Sequence, residues 1–142
     1  MDRIKIFFLT LLLTFFFAKT ALSKNSYFAE GEKLFIEKKY SKSKFKFEKD
    51  IVFNPKNEKS YLYLAKIFNE EKNEIMEEQN LNTVILLNPQ NEEAIFLLAL
   101  LKIKKSDYSE SEKLIKNIIK VCITFCGKEK ELKTKLENLQ PK

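Results

Sequence analysis

Histidine and tryptophan are absent from this 142-residue sequence, and glycine occurs only twice. Without histidine the chain cannot form a Ser-His-Asp or Cys-His nucleophile, and it lacks a common zinc ligand. Two isolated glycines cannot build the glycine-rich loop that holds phosphates. The acidic pairs Glu70-Glu71 and Glu77-Glu78 are adjacent residues, which point in different directions on a helix. We therefore expect no enzyme activity, no cofactor, no metal site and no small-molecule substrate.

Cysteine is nearly as scarce, with Cys122 and Cys126 as the only two. Residues four apart on an ideal helix are poorly aimed for a disulfide, and both cysteines continue an apolar stripe that begins at Ile115. We expect buried free thiols. The alternatives are an intrachain disulfide, which requires the helix to end before Gly127, and a metal or redox role.

Residues 1–23 have the layout of a secretory signal peptide. Arg3 and Lys5 form a basic start, and the run 6–18 is apolar except for two threonines. This run is short for a membrane span of about 20 residues. We expect cleavage after Ser23 and an exported protein that is periplasmic or membrane-associated. An uncleaved signal anchor and an amphipathic or buried helix are the alternatives.

Removal of residues 1–23 leaves a mildly basic chain, because 26 basic and 20 acidic residues become 23 and 19, a net charge of +4. This balance does not indicate a nucleic-acid partner. The stretch KKYSKSKFKFEK at 38–49 interleaves lysine with phenylalanine. Lys42, Lys46 and Lys49 share a helix face that we interpret as solvated, with anionic lipid headgroups as the alternative partner.

Two nearly identical breaks, NPKNE at 54–58 and NPQNE at 88–92, recur with a period of 34 (88 − 54). Small residues recur with the same period at Gly31, Ala65 and Ala99. Within each period, apolar residues three, four and seven apart predict two helices. The predicted helices are 25–38, 41–53, 57–71, 74–87, 91–104, 108–125 and 128–139.

The Asn-Pro pairs are expected to end one helix and open the next, because proline disfavours helical geometry in the residue before it. Asn57 and Asn91 are candidate N-caps for the helices that follow. The third period has Ile123 where the others have proline, so we expect its second helix to run on.

These features resemble the tetratricopeptide repeat (TPR) family, whose 34-residue unit is a pair of antiparallel helices. The aromatic slot holds Tyr27, Tyr61 and Ile95, and the Leu-Gly slot reads Glu30-Gly31, Leu64-Ala65 and Leu98-Ala99. The resemblance implies an all-α fold, a right-handed α-α superhelix of about three helix hairpins with a C-terminal capping helix. The expected repeats are 24–57, 58–91 and 92–126, and the capping helix and tail are 127–142.

Three residues depart from the family pattern. Glu77 sits where a small residue packs between helices, a position that Ser43 and Ser111 fit. Asp50 and Lys102 occupy positions that are apolar in the family. We expect these departures to weaken the second and third repeats locally.

The resemblance also implies a partner-binding groove on the concave side, lined by the first helix of each repeat. The matching residues are Phe28, Glu32, Phe35, Leu62, Tyr63, Lys66, Asn69, Phe96, Leu97, Leu100 and Lys104. Some members hold a C-terminal carboxylate with a Lys/Asn/Arg clamp. Phe28 and Glu32 replace the first clamp residues here, so a co-chaperone role is disfavoured.

Together these observations predict a non-catalytic TPR scaffold in the cell envelope that binds another envelope protein through its groove. The alternative is a membrane-anchored structural subunit of an envelope complex, such as an outer-membrane assembly or secretion machine. No nucleic-acid partner is expected, and peripheral or anchored membrane association is compatible with both hypotheses.

Overall fold

The computed structural model describes residues 26–139, and the predicted signal peptide at 1–23 lies outside the described residues. Seven α-helices follow one another: α1 (Ser26–Ile36), α2 (Tyr40–Phe53), α3 (Glu58–Glu70), α4 (Glu74–Leu87), α5 (Glu92–Lys104), α6 (Tyr108–Val121) and α7 (Lys128–Leu139). No strand occurs within residues 26–139, which confirms the predicted all-α class. None of these helices is long and apolar enough to cross a bilayer.

The turn inside each helix pair repeats one conformation. Lys38, Lys72 and Ser106 follow α1, α3 and α5 with positive φ angles of 57°, 57° and 61°. In the second pair, the N–H of Asn73 donates to the carbonyl of Phe68 at 2.9 Å, and the first and third pairs make the equivalent bond. This is the Schellman ending, which usually uses glycine. The chain builds all three of these turns without glycine.

At each of two breaks between helix pairs, N–H groups donate to a glutamate that lies one repeat earlier in the sequence. Glu58, the last residue of NPKNE, accepts hydrogen bonds from the side-chain amides of Asn88 and Asn91 at 2.9 and 3.4 Å. One repeat later, Glu92 accepts the backbone N–H groups of residues 123–125 at 2.6 to 3.0 Å. The repeated glutamate therefore secures the next break, whether or not that break contains Asn-Pro.

The third break corrects one helix prediction. The helix predicted at 108–125 ends at Val121, in register with Phe53 and Leu87, which end α2 and α4. It stops without proline because the chain leaves helical geometry at Cys122 and Glu92 holds the N–H groups that follow. The prediction that this helix runs on is wrong.

Two details of the helix starts also differ from expectation. Helices α3 and α5 begin three residues after Pro55 and Pro89, so each proline lies in the linking turn. Asn91 caps α5 by accepting the N–H of Ala94 at 3.0 Å. Asn57 makes no such cap, because its amide instead donates to Ser60 at 3.1 Å.

The described chain divides into two compact units at Pro55. In the first unit α1 packs against α2, and the ring of Phe47 is fully buried at their contact. A Cβ atom placed on Gly31 would lie 2.7 Å from that ring. Ser43 strengthens the same contact by donating to the Gly31 carbonyl at 2.8 Å. Glycine is required here because the facing side chain is a phenylalanine.

The second unit has a continuous core contributed by α3 to α7. Ala65 and Ala99 let the paired helices approach, as Gly31 does in the first unit. Helix α7 packs against α5 and α6. It buries Leu132 and Leu136, whereas Leu139 is 55% exposed.

Candidate functional site

Helices α3 and α5 open successive repeats in the second unit and present the same outward stripe. Spacings of four, three and four residues put each stripe on one helix face. The residues are Lys59, Tyr63, Lys66 and Glu70 on α3, and Glu93, Leu97, Leu100 and Lys104 one period further on, on α5. All eight side chains are half-buried or exposed. We refer to this set as the first-helix face.

Lys66 joins the two helices within this face. Its Nζ lies 2.7 Å from Glu93 Oε1 and 5.1 Å from the centre of the Tyr63 ring. Contacts of these two kinds at partly exposed sites contribute up to about 1 kcal/mol each, so they orient side chains more than they stabilise the fold. Leu97 and Leu100 add partly buried apolar surface that packs against the core.

Charged residues border the apolar part of the face. Lys104 Nζ lies 2.8 Å from Glu74 Oε1, at the start of α4. The hydrogen bond to Glu74 raises the pKa of Lys104, so this lysine stays charged across the physiological range. Lys59 and Glu70 are exposed. The result is an apolar and aromatic centre with a charged rim, an arrangement suited to an amphipathic peptide.

The eleven predicted groove residues separate according to their position in the repeat. Five belong to the first-helix face: Tyr63, Lys66, Leu97, Leu100 and Lys104. Of the other six, two are buried in the core, three contact neighbouring helices, and Glu32 lies at an equivalent repeat position on α1 of the first unit.

Leu62 and Phe96 occupy equivalent positions and are only 7% and 8% exposed. Both belong to the core of the second unit, which corrects their assignment to an open groove. The Phe96 ring lies 5.9 Å from the Phe125 ring, and Lys128 Nζ sits 5.4 Å from its centre. The C-terminal segment therefore covers Phe96.

Asn69, Phe28 and Phe35 contact neighbouring helices. The Asn69 amide donates to Glu77 on α4 at 2.9 Å. The Phe28 ring lies 5.7 Å from the buried ring of Phe47, and Phe35 packs in the same way against α2. Glu32 is half-buried on α1, at the position equivalent to Lys66 and Leu100.

Sequence reasoning missed Lys59, Glu70 and Glu93. The repeat period could have found Glu70, which lies one period before the predicted Lys104. Helical spacing could have found Lys59 and Glu93, since each lies four residues before a predicted residue. Periodicity alone does not show which stripe faces outward, because the inward stripe has the same spacing.

The lysine-rich stretch at 38–49 is partly engaged within the first unit. Lys46 forms an ion pair with Glu30. Lys49 Nζ lies 4.6 Å from the centre of the Phe45 ring. Lys42 is exposed. Two of the three lysines predicted to share a solvated face therefore have partners in their own helix pair.

The expectation of free thiols is also corrected, because Cys122 and Cys126 form a disulfide with their Cα atoms 5.1 Å apart. The bond is compatible with the chain because α6 ends at Val121, just before the first cysteine. Within the described residues, no cluster of three His, Cys, Asp or Glu side chains could hold a metal.

Comparison with solved structures shows that the chain has the TPR fold. It superposes on the TPR2B domain of yeast Sti1, determined in complex with an Hsp70 peptide, with a TM-score of 0.76 at 13% identity over 82% of this chain and 98% of that one. The first TPR domain of Spaghetti (RPAP3), bound to an HSP90 peptide, gives 0.73 at 17% identity over 82% and 92%. The Arabidopsis OM64 TPR domain gives 0.73 at 16% identity over 82% and 95%. No protein-family model and no curated protein matches the sequence.

Proposed function

We propose that this protein is a non-catalytic interaction module that binds a segment of another protein on its first-helix face. The observation that carries the proposal is the composition of that face. Tyr63, Leu97 and Leu100 supply aromatic and aliphatic surface, and the Lys66–Glu93 ion pair fixes the groups around them. Partly exposed apolar groups with a charged rim are typical of sites that anchor a peptide through a few side chains.

The TPR domains of Sti1 and RPAP3 hold Hsp70 and HSP90 peptides, which supports a peptide ligand for the same fold. The ligand proposed here has a different chemistry. By the TPR resemblance, Phe28 and Glu32 stand where some family members place the first clamp residues for a terminal carboxylate. We therefore propose an internal, amphipathic segment with apolar anchors rather than a free acidic C-terminus.

We also propose that the protein acts in the cell envelope, as a periplasmic or membrane-associated scaffold. The support is the basic start and short apolar run of residues 1–23. Intact mass of the protein from its native cell tests the location. Loss of residues 1–23 supports a free exported module, a full-length mass in the membrane fraction supports the anchored subunit, and a full-length cytosolic protein would overturn both.

A peptide-display selection on the purified full chain, followed by titration calorimetry of the selected peptides, tests the binding mode. We expect Tyr63→Ala with Leu97→Ser to weaken binding at least about tenfold, the loss of one good anchor. The matched control is Ile75→Ser with Leu86→Ser, two side chains on α4 that are 69% and 81% exposed. Peptides that bind the control variant more weakly than the unchanged protein, but bind the Tyr63→Ala, Leu97→Ser variant equally well, would place the site elsewhere and refute the proposal.

A further inference from the structure

The end of α6 and the loop after it form a second exposed surface. Ile119 is 48% exposed and Ile123 is 85% exposed. Lys116 and Lys120 are exposed on the last turns of the same helix, and spacings of three and four residues place them on one face with Ile119. We call these four residues the α6 tip.

The loop that carries Ile123 is held in place. The Ile123 N–H donates to Glu92 Oε1 at 2.8 Å, and the Phe125 N–H donates to Oε2 of the same carboxylate at 2.6 Å. The disulfide between Cys122 and Cys126 closes the loop. Because the backbone is already fixed, the loop at Ile123 has little backbone conformational entropy to lose on binding.

Positive charge is concentrated in the part of the sequence that contains the α6 tip. Residues 113–135 contain seven lysines and two glutamates, a net charge of +5, whereas residues 26–112 contain 14 lysines and 16 acidic residues, a net charge of −2. Within residues 26–139, no acidic side chain forms an ion pair with Lys116 or Lys120. The tip therefore combines protruding apolar groups with two lysines that form no ion pair with any described residue, while Glu92 is engaged by the backbone N–H groups of the loop.

We propose that the α6 tip binds the surface of an anionic lipid bilayer. Ile119 and Ile123 would enter the headgroup region while Lys116 and Lys120 contact lipid phosphates. Both cations of the tip are lysines, whose ammonium groups are compact charges on flexible stems. A diffuse anionic surface suits point charges on flexible stems better than a protein interface does. This inference does not depend on the function of the first-helix face.

Tryptophan fluorescence tests the contact locally, because the chain contains no tryptophan. Ile123→Trp in the full chain is expected to give a blue-shifted emission with vesicles containing phosphatidylglycerol and no shift with neutral phosphatidylcholine vesicles. The matched control is Ile75→Trp, at a side chain that is 69% exposed on α4. It is expected to shift with neither vesicle, even if residues 1–23 bind the lipid.

Charge removal gives the second arm of the test. In the Ile123→Trp protein, Lys116→Gln with Lys120→Gln should lower partitioning onto anionic vesicles about 25-fold, since each lysine near such a surface is worth about fivefold. Lys33→Gln with Lys56→Gln, which removes the same net charge from exposed sites outside both proposed surfaces, should change it less than about twofold.

Three outcomes would overturn the proposal. The first is the absence of a shift at position 123, or an equal shift at position 75. The second is a shift that grows with protein concentration without vesicles, which would indicate contact between two copies of the chain. The third is a shift with polyglutamate but not with vesicles, which would indicate an acidic protein partner instead.

Discussion

Replacing Glu77 by serine is expected to stabilise the protein. Glu77 is 3% exposed, and its Oε2 atom is buried without a hydrogen-bond partner. Ser43 and Ser111 occupy the same position in the other two helix pairs and donate to carbonyls twelve residues earlier, at 2.8 and 3.4 Å. A serine at position 77 would meet the equivalent carbonyl, that of Ala65 (77 − 12).

The size of the effect follows from the atoms exchanged. An unpaired buried polar atom costs about 1–3 kcal/mol, and a new hydrogen bond contributes about 1 kcal/mol. Loss of one buried methylene costs about 0.8 kcal/mol, and the residual cavity costs a similar amount. The hydrogen bond from Asn69 to the carboxylate is lost as well, at a cost of about 1 kcal/mol. We expect a net stabilisation of up to about 1 kcal/mol in urea unfolding of the full chain followed by circular dichroism.

The gain should depend on pH. Burial raises the pKa of Glu77 above its usual value of 4.5. The hydrogen bond from Asn69 and the charge of Lys104 lower this pKa, but by less than burial raises it. The folded protein therefore binds this proton more tightly than the unfolded chain, so stability falls as the pH rises from 4.5 towards the raised pKa. Glu77→Ser removes that loss, and its advantage should be larger at pH 7 than at pH 4.

The neighbouring Glu78 provides a matched control, at which the same substitution is expected to change stability in the opposite direction. Its carboxylate lies 2.7 Å from Lys102 and 2.5 Å from Lys105, and these hydrogen bonds lower its pKa. Its stabilising contribution is present at neutral pH and is lost as the pH falls through the lowered pKa. Glu78→Ser should therefore destabilise the protein at pH 7. Destabilisation by both serine variants at pH 7 would refute the reasoning.

Three further predictions concern other contacts. Gly31→Ala should destabilise the protein by about 1–3 kcal/mol through overpacking, and Phe47→Leu in the same chain should recover part of that loss, whereas additive losses would contradict the close contact. Glu92→Gln should raise amide hydrogen exchange of residues 123–125 at least about tenfold at neutral pH. Desolvation raises the pKa of Glu92, but the N–H donors of the loop lower it more, so a charged carboxylate holds the loop at this pH. Unchanged exchange would show that another contact holds the loop. Replacing both cysteines by serine should cost about 2 kcal/mol, the loop-closure value for a loop of this length, and free thiols in the native protein would contradict the disulfide.

Much of the fold follows from the sequence because the signals repeat. The Asn-Pro breaks and the small-residue column define the period, and the first five predicted helices end within two residues of those observed. The turns at Lys38, Lys72 and Ser106 were not predicted, because lysine and serine carry no preference for positive φ. Their geometry is imposed by the packing of the helices on either side.

The third break and the candidate site show where sequence reasoning fails. The end of α6 depends on Glu92, which lies at the start of α5 and is distant in sequence, so no local pattern around Cys122 predicts it. Leu62 and Phe96 have the spacing of groove residues, but Phe125 and Lys128 cover Phe96 from the C-terminal segment. Which stripe of a helix stays open depends on these distant contacts.

Site-specific photocrosslinking in the native cell tests the central claim most directly. A benzophenone side chain at Leu97, on the first-helix face, is expected to form a covalent adduct with a peptide segment of a single partner protein, identifiable by mass spectrometry. The same group at Ile75, which is 69% exposed on α4, should form no such adduct. Adducts with that partner at Ile75 and none at Leu97, in proteins with native circular dichroism, would contradict the proposed function.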